Sequence, residues 1–74
     1  MRPYKNISRK AGVKAYEIGE HAITIMFTDG GVYVYDHNVP GKEHVEQMKR
    51  LAEKGRGLTT YINQHVRDNY AHKL

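Results

Sequence analysis

The segment Gly30-Gly31-Val32-Tyr33-Val34-Tyr35-Asp36-His37-Asn38-Val39-Pro40 constrains this chain more than any other. A glycine turn feeds an alternating strand, which runs directly into a proline-marked helix start. The residues before it read as strands and those after it as helices, so sheet and helices must share a core along this segment. With 74 residues, the chain is one small domain, near the size at which a single apolar core gives only a few kcal/mol of net stability.

Val13 to Ile18 is short and rich in strand-favouring types, with Tyr16 and Ile18 on one face. Gly19-Glu20 breaks it. In Ala22 to Phe27, Ile23, Ile25 and Phe27 project to one side and Thr24 and Met26 to the other, which predicts a second strand. Asp29-Gly30 between two alternating runs is a hairpin signal. Register then decides where the tyrosines lie, because a slip of one residue sends every side chain to the opposite face. A two-residue turn, Asp29-Gly30, sets Ile25 opposite Val34 and leaves Tyr33 and Tyr35 on the other face with Met26. A three-residue loop, Thr28-Asp29-Gly30 with Gly30 left-handed, sets Ile25 opposite Tyr33 and Ile23 opposite Tyr35. The second is preferred: it gathers Tyr16, Ile18, Ile23, Ile25, Phe27, Tyr33 and Tyr35 on one surface that helices can cover.

Asn38-Val39-Pro40 places a capping residue and a proline at a helix start. Lys42 to Lys54 reads as helix, with Val45, Met48, Leu51 and Ala52 as its apolar stripe and a Glu46 to Arg50 pair on the solvated side. Gly55 is placed to end it in a left-handed cap. After Arg56-Gly57-Leu58, either Thr59 or Thr60 caps a second helix running from Tyr61 to about Tyr70, with Ile62, Val66 and Tyr70 repeating every four residues. Ala71-His72-Lys73-Leu74 extends this helix or frays. The expected architecture is α+β, a three-stranded antiparallel meander followed by two helices packed on one face.

Charge is unevenly spread. The net charge is +4 and the sequence pI about 9.5, but residues 1–10 hold Arg2, Lys5, Arg9 and Lys10 without an acid, while residues 11–74 balance eight basic against eight acidic side chains. The excess is a basic N-terminal arm on a neutral domain spanning residues 11–74. Such an arm either drapes over a phosphate backbone, gaining affinity by counterion release, or serves as a mobile, solubilising terminus. Without cysteine, neither disulfides nor thiolate ligands supplement the core, which fits a reducing compartment and the expectation of a cytoplasmic protein. The N-terminus lacks the apolar run of a signal peptide, and no segment approaches the roughly 20 apolar residues of a membrane span, so no membrane partner is expected.

No catalytic constellation emerges. His21, His37, His44, His65 and His72 lack the spacings that make ligands converge, with neither His-Glu-x-x-His nor two histidines at i and i+4, so no metal is expected. Ser8 has no Gly-x-Ser-x-Gly elbow around it. Asp36 and His37 could act as orienter and base, though such clusters beside helix starts are usually caps. Gly30-Gly31 lacks the spacing of a phosphate loop. Arg56 at the connector offers an anion a cation beside a helix N-terminus, against the plainer reading of a cap and turn. On the second helix Asn63, Arg67 and Tyr70 share one flank, and Tyr61, His65 and Asp68 another. Arginine with tyrosine and asparagine can hold a phosphate and stack on a base; the alternative places Tyr70 in the core and Arg67 in a surface ion pair.

Tyr16-Glu17, Ile23-x-Ile25-x-Phe27, Gly30, Tyr33-x-Tyr35, Val39-Pro40 and Tyr61-Ile62-Asn63-Gln64-His65-Val66-Arg67-Asp68-Asn69-Tyr70 together resemble the KTSC domain. This family is named for the C-terminal end of some lysyl-tRNA synthetases and also occurs as small free-standing bacterial and phage proteins. The resemblance covers about residues 8–70. It departs in the longer connector Arg56-Gly57-Leu58-Thr59-Thr60 and in Asp36-His37-Asn38 before Val39-Pro40. It implies a compact domain of a short sheet plus helices, and RNA binding without any agreed catalytic residue.

The expected function is therefore a non-enzymatic module, without cofactor, for RNA or another nucleotide-containing polyanion. Its candidate contacts are Arg9, Lys10, Tyr33, Tyr35, Arg56, Asn63, His65, Arg67 and Tyr70. The alternative is a protein-interaction or homo-oligomerisation module, including an oligomer that sequesters a small nucleotide.

Overall fold

A computed structural model describes residues 1–5 and 12–74. Its centre is the hairpin of β3 (Ala22–Phe27) and β4 (Val32–Asp36). Gly30 has φ 94 and its N–H donates to Phe27 O at 2.9 Å, while Phe27 N–H donates to Gly31 O at 2.8 Å. The loop is thus Thr28-Asp29-Gly30, and the ladder sets Ile25 opposite Tyr33 and Ile23 opposite Tyr35, as the burial argument anticipates.

Among the described residues five strands, where three were expected, form one antiparallel sheet in sequence order: β1 (Arg2–Pro3), β2 (Val13–Ile18), β3, β4 and β5 (His72–Lys73). The two additions are two-residue edge strands, too short to show any alternation. β1 sets Arg2 opposite Tyr16, and β5 sets Lys73 opposite Tyr33. The C-terminal residues therefore neither extend a helix nor fray: Ala71 N–H donates to Val34 O and Leu74 N–H to Val32 O, each at 2.8 Å. At the other edge the basic segment begins inside the fold. Tyr4 is buried at 7% exposure, and its hydroxyl accepts from Leu58 N–H at 3.2 Å.

One face of the sheet carries the core. Val13, Tyr16, Ile23, Ile25 and Tyr35 meet Val45, Met48 and Ala52 of α1 (Lys42–Lys54) and Leu58, Ile62 and Val66 of the segment that follows. Each fully buried aliphatic side chain contributes roughly 1.5–3 kcal/mol relative to exposure. On the opposite face Thr24, Met26, Val32 and Val34 are only half-buried.

α1 has the predicted bounds but a different start. Gly41, with φ 123, is its N-cap and no side chain caps it; Asp36 Oδ1 instead accepts from Asn38 N–H at 2.9 Å and Val39 N–H at 2.8 Å, shaping the turn into the helix. Gly55 ends it in the left-handed conformation, donating to Leu51 O and Ala52 O. Glu46 does not pair with Arg50. It faces Lys49 and His37, and Arg50 bonds Gln47.

The second helix differs most from expectation. α2 is only Leu58–Tyr61, with Gly57 as N-cap and neither threonine capping; Thr59 Oγ1 accepts from Val13 N–H instead. A single π-helical turn, Ile62–Val66, follows, and Arg67 N–H closes it on Ile62 O. The helix stops at Val66 because Tyr70 returns to the sheet, packing on Tyr33 and Tyr35. No helix among the described residues is long and apolar enough to cross a membrane.

Candidate functional site

Where the hairpin loop, β4 and the turn after Val66 converge, Phe27, Asp29, Tyr33, Tyr35, Arg67, Asp68 and Tyr70 line a cleft of about 310 Å³. The register explains the aromatic wall. Phe27 and Tyr33 are near-diagonal neighbours on one sheet face, with ring centroids 5.5 Å apart and planes at 74°. Gly31 leaves them room, since a Cβ there would come within 3.0 Å of the Tyr33 ring. Tyr70 lies against both tyrosines, 4.8 Å from Tyr33 and 6.4 Å from Tyr35 between centroids. Lys73 Nζ stands 5.7 Å from the Tyr33 ring.

Tyr35 forms the floor. It is 1% exposed, and its hydroxyl donates to Arg67 O at 3.3 Å. Burial, reinforced by Tyr33, Asp68 and Tyr70, pushes its pKa up to about 12. It is thus a neutral donor that anchors the turn carrying Arg67. Asp29 Oδ1 accepts from Gly31 N–H at 2.8 Å, which fixes one carboxylate at the rim.

A second hollow, of about 400 Å³, adjoins the first around the π-helical turn and is lined by Asn63, Gln64, His65, Val66, Arg67, Asp68 and Asn69. Arg67 and Asp68 belong to both. Beyond it, His44 Nδ1 lies 2.7 Å from Tyr61 Oη, and His65 packs against the Tyr61 ring with centroids 4.5 Å apart and planes tilted by 39°. Burial raises the pKa of Tyr61, with Glu43 adding to it.

Of the sequence-derived contacts, Tyr33, Tyr35, Arg67 and Tyr70 share the aromatic cleft, with Tyr35 a core residue beneath it. Asn63 and His65 line the adjoining hollow. Because the helix ends at Val66, Asn63, Arg67 and Tyr70 do not form one helical flank, nor do Tyr61, His65 and Asp68. Arg56 is exposed between the helices and lines neither hollow. Arg9 and Lys10 lie outside the described residues. Phe27, Asp29 and Asp68 are the additions. Phe27 was legible, since the preferred register already places it beside Tyr33; Asp29 read only as a turn residue.

Chemically the cleft offers aromatic faces for stacking, a guanidinium for a phosphate or a base edge, and two carboxylates that accept hydrogen bonds from amino or imino groups. Those carboxylates oppose a dense run of phosphates and suit a nucleobase. Among the described residues, no group of three or more His, Asp or Glu converges as metal ligands. No family model matches the chain, and neither a curated protein nor a solved structure shows a significant likeness to it.

Proposed function

We propose that this chain is a non-enzymatic binding module that holds a base of single-stranded RNA, or of a free nucleotide, in the aromatic cleft. The observation that carries this reading is the convergence of Phe27, Tyr33 and Tyr70 with Arg67 in one open hollow. Tyr33 and Tyr70 take the base by stacking, Asp29 and Asp68 meet its polar edge, and Arg67 takes the adjoining phosphate. The adjoining hollow, with Asn63 and His65, continues the path for a second nucleotide. The resemblance to the KTSC domain points the same way.

The test is a titration of short single-stranded RNA, with a mononucleotide panel beside it, at low and moderate salt. Tyr70→Ala removes a stacking face worth about 1–3 kcal/mol per base and should weaken binding accordingly. Arg67→Ala should flatten the salt dependence, by about 0.7 in the slope of log K against log salt for one lost phosphate contact on a single strand. No binding at low salt, or binding that neither substitution alters, would rule the reading out.

The alternative of a self-associating module draws on the half-buried outer sheet face of Thr24, Met26, Val32 and Val34. Light scattering across a dilution series separates the two: a dilution-resistant dimer supports association, and a monomer dismisses it.

A further inference from the structure

The β3–β4 ladder continues past its last strand pair. Ala22 faces Asp36, and the next residues out are His21 and His37, where His37 N–H donates to His21 O at 2.9 Å. The imidazoles leave the hairpin side by side, with ring centroids 5.1 Å apart and Nδ1 facing Nδ1 at 3.3 Å. The far nitrogen of His37 has a carboxylate within hydrogen-bond reach behind it, and that of His21 does not. His37 Nε2 lies 2.9 Å from Glu46 Oε2, and His21 Nε2 lies 3.7 Å from Glu20 Oε1.

A neutral imidazole carries a single N–H. The ionised Glu46 carboxylate only accepts, so the His37 proton sits on Nε2 and its Nδ1 presents a bare lone pair. His21 Nε2 lies beyond hydrogen-bond reach of Glu20, so the His21 proton sits on Nδ1 and donates to that lone pair at 3.3 Å. A divalent cation that displaces this single proton takes both Nδ1 atoms as ligands. The separation is that of two ligands on one tetrahedral ion: with metal–nitrogen bonds of about 2.0–2.1 Å, the edge of the tetrahedron is about 3.3 Å. A carboxylate on the remote nitrogen is also the usual support of a ligating histidine, since it fixes the tautomer and raises basicity.

We propose that His21 and His37 form a two-nitrogen site for a divalent first-row transition-metal ion. Water or an incoming ligand completes the shell, because among the described residues no third protein donor converges there. Glu46 orients His37 and is itself held by Lys49, whose Nζ lies 2.9 Å from Glu46 Oε2 and donates to Glu20 O at 3.0 Å. The charged groups around the pair are thus Glu20, Asp36 and Glu46, which favour a cation, and Lys49, which opposes it from behind Glu46. Binding would tie the open end of the hairpin to α1. Imidazole ligands rank copper(II) above zinc and leave magnesium unbound.

The test is calorimetric titration of the whole chain with CuCl2, ZnCl2 and MgCl2, repeated on His21→Ala and His44→Ala. The His21 side chain is 71% exposed, so its removal leaves folding intact, checked by circular dichroism. The expected result is saturable one-to-one binding, tighter for copper than for zinc and absent for magnesium. It should weaken at least tenfold in His21→Ala and stay unchanged in His44→Ala. No saturable binding of copper or zinc would overturn the proposal, as would binding that survives in His21→Ala and so belongs to other histidines.

Discussion

At the loop end of the β3–β4 hairpin, Phe27 and Tyr33 meet ring to ring and Tyr70 closes over them; at the open end, His21 and His37 meet nitrogen to nitrogen and His37 reaches Glu46. One register sets both ends. The loop end is held by buried apolar area and by the Tyr35 hydroxyl beneath it, whereas the open end is held by surface charge and hydrogen bonds. The two should therefore answer to different perturbations: the first to lost volume and shape, the second to pH and salt.

The largest effect should come from Tyr35→Ala, which removes the floor of the cleft and leaves a cavity between sheet and turn. Truncating a buried aromatic costs about 3–5 kcal/mol, a large share of what so small a domain has. Urea denaturation should show it, and a loss below about 1 kcal/mol, against the scale of buried truncations, would mean that the loop end does not rest on Tyr35. Tyr35→Phe keeps the ring and drops only the bond to Arg67 O.

Next comes Gly30→Ala. A Cβ at Gly30 meets nothing within 4 Å, so only the left-handed φ of 94 demands glycine. The expected cost is about 1–2 kcal/mol, with Gly30→Asn milder because asparagine tolerates that conformation. Because this loop sets the register, the substitution tests whether both ends depend on it. Amide exchange should quicken at Phe27 and Gly31 and also at His37; a change confined to the loop would separate the ends.

The same register marks how much could be read beforehand. Burying the large side chains together selects Ile25 opposite Tyr33, and that choice carries His21 opposite His37. The pair escaped a search by spacing because two residues joined across a hairpin have no fixed sequence interval. α1 was legible from its stripe and from Gly55. The end of the second helix was not: Tyr70 stands four residues after Val66, as a helix would have it, but its ring gains more against Tyr33 and Tyr35 than another turn offers. The edge strands escaped because two residues show no period, and Tyr4 because a lone aromatic in a basic segment does not announce that its hydroxyl will accept from Leu58 N–H.

The smallest effect, and the one that separates the ends most cleanly, is expected from Glu46→Gln. Hydrogen bonds from Lys49 and then His37 lower the Glu46 pKa from 4.5 to about 2. A carboxyl whose pKa falls on folding adds stability above its ordinary value and loses it as pH drops toward the folded one. The stability difference between wild type and Glu46→Gln should thus be steady above about pH 4.5, shrink toward pH 2, and shrink at every pH in high salt because the group is at the surface. Thermal melts across that range measure it, and a difference indifferent to both pH and salt would place Glu46 among packing contacts. Tyr35→Phe provides the opposite profile. With its pKa raised to about 12, the Tyr35 hydroxyl contributes fully below pH 10 and loses its contribution only as pH rises beyond that. An acid limb in the Tyr35→Phe difference would mean that the two ends are not governed by separate forces.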